Sequence, residues 1–184
     1  MASSPIDFDS ANYSPEVAAV LALDGDGRRP MPLVMERCTS EAARTRLRSA
    51  ALPVLFPNAR AAEAALAGLY VYYSCFEEAH DTAQDIATVE GSYWHAIVHR
   101  QEPDSGNATY WFRRVGRHPI FAALARAANQ PAWDPFEFIT QCEQARQQAG
   151  SALDTHTRAL QLIEWQLLFD YCARPANRTS PAAA

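Results

Sequence analysis

The sequence predicts an all-α fold of about nine helices. Hydrophobic residues recur at intervals of three and four along most of the chain, and no run of strict alternation is bounded by turn residues. Alanine is abundant, while glycine and β-branched residues are sparse. With 184 residues, 48% hydrophobic and 20% charged, the chain suits a single globular domain over residues 14–174.

The elements follow in order. Residues 1–13 are expected as a flexible tail. Ser14 caps, and Pro15 opens, a short helix reaching Ala22. The stretch DGDGRRPMP, residues 24–32, is a loop, because its glycines and prolines break a helix. Thr39 or Ser40 caps a second helix that starts at Glu41 and stops near Pro53. Asn58 is placed as the cap of the long apolar run over 59–74. Helices are then expected over 76–86, 90–101, 105–116 and 119–128. Two more follow over 133–148, with Asp134 and Pro135 at the start, and over 152–174. In the last of these, Leu160, Ile163, Leu167 and Leu168 form an apolar stripe. Residues 175–184 are expected as a disordered tail.

Composition excludes several chemistries. All sixteen basic residues are arginine, so lysine Schiff bases and lysine phosphate clamps are absent, and any anion must be held by arginine forks. A net charge of −5 does not supply the basic face that nucleic acid requires. No apolar run reaches membrane-spanning length, and the first residues lack the order of a signal peptide. Cys38, Cys75, Cys142 and Cys172 have neither CxxC nor metal-ligand spacing, so they read as free thiols of a cytoplasmic protein. No GxSxG, P-loop or GxGxxG is present.

An internal repeat organises the middle of the chain. Ala96, Ala108, Phe112 and Val115 keep the spacing of tetratricopeptide helical hairpins, with Pro103 and Asp104 at the turn and Pro119 after it. Upstream, Ala67, Ala79, Ala83 and Ile86 repeat that spacing around a turn at Ser74 and Cys75. Residues 60–118 thus resemble two tetratricopeptide-like αα-hairpins, with a period of about 29 residues instead of 34. The resemblance implies a right-handed stack. The strings EEAHDTAQD, SYWHAIVHRQEPDSGNATYWFRR and EWQLLFDYCAR also resemble a family of uncharacterised bacterial proteins, which supplies no activity.

The repeat register brings out His95 and His99. They flank Ala96 where such hairpins hold apolar residues, and their i, i+4 spacing stacks both imidazoles on one inward face. Burying an imidazole without a partner costs on the order of 1–3 kcal/mol, so the pair requires hydrogen bonds, a ligand or a metal. His80, Gln84, Glu102 and Asn107 are the nearest candidate partners.

Three readings follow from these residues. The first is a binding protein whose pocket for a small polar molecule or a peptide segment is lined by His80, Gln84, Trp94, His95, His99, Arg100, Glu102, Asn107, Trp111 and Arg113. The second is an enzyme in which His95 and His99, with His80 and Glu77, hold a single transition-metal ion, or in which a histidine backed by Glu102, Asp104 or Asp81 moves protons. Glu77 and His80 form Glu-x-x-His, half of a di-iron signature that has no second copy here. Cys75 is the one cysteine placed for nucleophilic attack. The third reading is a scaffold whose polar core is internally satisfied. Arg114 and Arg117 are expected on the solvated face, and Glu164 is expected to reach inward to the polar cluster.

Overall fold

The computed structural model describes residues 8–176. Among them the chain forms ten α-helices and two short 3-10 turns, with no strand. The helices are α1 (Pro15–Leu21), α2 (Glu41–Ser49), α3 (Leu52–Leu55), α4 (Ala62–Tyr72) and α5 (Phe76–Gln84). They continue with α6 (Val89–Gln101), α7 (Ser105–Val115), α8 (Phe121–Ala127), α9 (Pro135–Arg146) and α10 (Ala152–Ala173). The all-α class holds, and so do most helix starts. The Ser14, Ser40, Thr88, Asp104, Asp134 and Ser151 side chains accept first-turn N–H groups, which would otherwise lack partners.

Two starts differ from expectation. Pro53 does not stop a helix; it lies in the first turn of α3, where no N–H is needed. Asn58 takes a left-handed conformation (φ 62°) in the preceding turn, and α4 begins at Ala62 without a side-chain cap.

α6 runs through the centre. It is buried from Gly91 to Gln101, with α5 and α7 packed against it and α4 also in contact. A helix covered on every side shows no amphipathic stripe. α10 packs on α4, α8 and α9, and places Trp165 and Phe169 in stacked contact in the core. Residues 24–39 cross this assembly as a loop that buries Met31, Leu33 and Met35. Met35 donates its N–H to the Gln101 carbonyl at 2.9 Å, satisfying the end of α6, and Gln161 donates to the Pro32 carbonyl at 3.0 Å.

The expected N-terminal tail is corrected over residues 8–13. Phe8 packs 5.5 Å from Trp165, and Tyr13 donates to Asp170 at 2.9 Å, so this segment is anchored to the core at both ends. Residues 1–7 lie outside the described residues. At the other end, Arg60 donates to the Ala176 carbonyl at 3.3 Å, and the remainder of the expected C-terminal tail, 177–184, is outside them. The expectation of free thiols holds for buried Cys142 and Cys172 and fails for the other two. Cys38 and Cys75 are joined by a disulfide between the loop and the residue before α5. Among the described residues, no helix is long and apolar enough to cross a membrane.

Candidate metal centre

Three imidazoles meet between α5 and α6. His95 and His99 lie one turn apart on α6, their rings stacked with centroids 4.7 Å apart. His80 of α5 meets both edge-on, at 4.6 and 5.3 Å. One ligating atom from each of the three lies within 4.8 Å of the others. His95 and His99 are 3% and 7% exposed, whereas the His80 side chain is 27% exposed and forms the solvent side. Trp111 of α7 covers the His95 ring at 4.2 Å, and Phe76, one turn before His80, stacks on it at 5.8 Å.

Hydrogen bonds settle which nitrogens face inward. Glu102, at the end of α6, accepts from His99 Nδ1 at 2.9 Å, so the neutral ring carries its lone pair on Nε2. That lone pair faces His95 Nε2 at 3.1 Å, and His95 Nε2–H therefore donates to it. Metal–nitrogen bonds of 2.0–2.1 Å place two nitrogens of a tetrahedral site about 3.3–3.4 Å apart. The separation observed is close to that edge, and a metal ion would take the place of one shared hydrogen. Burial, with the neighbouring His99 and His80, pushes the His95 pKa down to about 4, which leaves the ring neutral near neutral pH, and ligation through Nε2 requires its proton to move to Nδ1. His95 Nδ1 is buried with no hydrogen-bond partner, so only His99 of the two is backed by a carboxylate.

The other expected site residues divide into separate environments. Trp94 is fully buried on another side of α6 against Gly68 of α4. Arg100 points into the core, where it donates to Glu164 at 2.5 Å; Tyr93 donates to the same carboxylate at 3.0 Å. Glu164 thus reaches inward as expected, to Arg100 and away from the three histidines. Gln84 and Arg113 are exposed, and Asn107 is an exposed partner of the Asp104 cap at 2.7 Å. Glu77 is exposed and outside the group of converging ligands.

Asp81 stands 3.6 Å from His80, beyond hydrogen-bond range, and Cys75 is bridged instead of free. Asp104 does approach His99 and Glu102 closely enough to form a second, more exposed ligand group. Exposed Arg114 lies over Trp111 at 5.2 Å. One contributor escaped the sequence reading, Phe76, which its i, i+4 spacing to His80 signals; Tyr93, which no local pattern signals, joins the separate Arg100–Glu164 pair.

No protein-family model, curated protein or solved structure gives a significant match to this chain.

Proposed function

We propose that this protein binds a single transition-metal ion through His80, His95 and His99, and that a small polar molecule occupies the remaining position on the solvent side of His80. The observation that supports this best is the convergence of three imidazoles with the Glu102 carboxylate behind one of them. Three imidazoles and an open position form the ligand set of catalytic, not structural, zinc sites, where a bound water reaches a pKa of about 7. The chemistry that fits is hydration or hydrolysis. A binding role toward a small molecule or peptide uses the same open position.

The stacked, tetratricopeptide-like arrangement of α4–α7 and kinship with the uncharacterised bacterial proteins belong to this proposal, as does an absence of nucleic-acid and membrane partners. The cytoplasm is the compartment we propose. There, a bridge such as Cys38–Cys75 is of the exchanging kind.

The test is elemental analysis of untagged protein purified without chelator, with Co²⁺ added to the metal-free form and its visible absorption recorded. Stoichiometric metal and an intense tetrahedral Co²⁺ spectrum are expected, both lost in H95A/H99A. A wild type that takes up neither Zn²⁺ nor Co²⁺ at micromolar concentration would show the cluster to be a polar core of a scaffold.

A further inference from the structure

A second place on the molecule has the makings of a reactive site. Beside the start of α5 is a cavity of about 310 Å³, at the small end of the range for small-molecule sites. The Cys38–Cys75 disulfide lies in its wall, together with Glu36, Arg37 and Glu77. Arg44 and Glu78, also in the wall, are paired with each other at 2.5 Å. Glu36, Arg37 and Glu77 are exposed and make no ion pair within the described residues. The cavity therefore offers one uncommitted guanidinium and two uncommitted carboxylates around a sulfur–sulfur bond.

The two sulfurs are unequal. Cys75 is 1% exposed, whereas Cys38 is partly exposed and is the more accessible residue of the two. Cys75 immediately precedes α5 and is covered by the core. Attack on Cys38 with departure of Cys75 is therefore the direction that access allows.

We propose that this cavity binds a zwitterionic low-molecular-weight thiol, of the class of small cysteine-containing peptides, and that the thiol exchanges with the Cys38–Cys75 bridge. Arg37 takes a ligand carboxylate, and Glu36 or Glu77 takes its ammonium group. The ligand thiolate forms a bond to Cys38 Sγ as the protein disulfide breaks, and the electron pair leaves on Cys75 Sγ. A second thiolate then attacks the ligand sulfur of that mixed disulfide and releases Cys38 as its thiolate. The protein gains two electrons, and two ligand thiols become one ligand disulfide.

The experiment uses air-oxidised full-length protein mixed with reduced glutathione or with neutral 2-mercaptoethanol, quenched with acid and read by intact mass. Glutathione is expected to open the bridge about tenfold faster per thiolate than 2-mercaptoethanol, and R37Q to bring the ratio of the two rates close to one. C75S treated with oxidised glutathione should carry the adduct on Cys38, by peptide mapping. Equal wild-type rates for the two thiols would overturn the proposal. So would failure of C75S to form the adduct, or recovery of all four cysteines as free thiols after air oxidation. None of these readouts involves a metal, so failure of the three-histidine reading and failure of this one are separable.

Discussion

Glu102 accepts a hydrogen bond from His99 Nδ1 at 2.9 Å, while the opposite nitrogen of the same ring meets His95 Nε2 at 3.1 Å. A carboxylate in that position fixes the ring's tautomer and raises the basicity of the ligating nitrogen. Glutamine keeps an acceptor but loses the charge, and alanine loses both. Glu102→Gln should weaken Zn²⁺ binding about 10-fold and Glu102→Ala nearer 100-fold, with stability nearly unchanged because Glu102 is exposed. Competition against a chromophoric chelator measures both variants. Unchanged affinity in Glu102→Ala would remove the carboxylate from the site.

Arg100 and Glu164 form an ion pair with side chains only 1% and 0% exposed. The guanidinium also lies 4.7 Å over Phe138, and the carboxylate accepts from Tyr93. Removing one partner leaves the other charge buried and uncompensated. Glu164→Ala should therefore cost about 3–5 kcal/mol in urea unfolding. Arg100→Met combined with Glu164→Leu should recover part of that loss, the remainder being the Tyr93 hydroxyl left without its acceptor, and bind metal as the wild type does. Metal binding lost in the folded double variant would instead make the pair part of the centre.

The sequence carried the helical class and the inward histidine face, for one reason: both depend on local spacing. Periodicity places α7 and α10, and the i, i+4 relation puts His95 and His99 on one face whatever lies opposite. Trp94 and Arg100 adjoin those histidines in sequence, but one residue of helix turns a side chain by about 100°, which carries each to a different neighbour. Because α6 is covered on all sides, no polar stripe marks which direction is core and which is site. The Cys38–Cys75 bridge was illegible for a similar reason. It spans 37 residues and depends on how the loop over 24–39 crosses the start of α5.

Gly68 of α4 lies against two tryptophans, Trp94 and Trp165. Its carbonyl accepts the Trp165 indole N–H at 2.7 Å, and a Cβ added there would stand 2.7 Å from Trp94 Cζ2. Both indoles are buried. Gly68→Ala should therefore destabilise the fold by about 1–3 kcal/mol, although alanine is the better helix former. Urea denaturation with tryptophan fluorescence reads both the loss and the altered packing. A stabilised variant would mean that α4 shifts freely, contrary to this packing.

His118 is 5% exposed among Tyr93, Phe121 and Tyr171, and its Nδ1 accepts the Ile120 N–H at 3.4 Å. Burial pushes its pKa down to about 4, against an opposing pull from Glu90 and with added repulsion from Arg60. In the unfolded chain an ordinary histidine titrates near 6.5. Between those values the unfolded state binds a proton that the folded state refuses, so stability falls as pH falls through this window. The contribution, on the order of 3 kcal/mol, is intact above the unfolded value and gone below the folded one. His95, pushed down to about 4 by burial, His99 and His80, acts in the same direction. In His118→Phe, which preserves an aromatic ring but loses the Ile120 acceptor, the slope of unfolding free energy between pH 6.5 and 4 should drop by about one proton, or about 1.4 kcal/mol per pH unit. Urea unfolding of metal-free protein across that range gives the slope directly, and a slope equal to that of the wild type would show that His118 is protonated in the folded core.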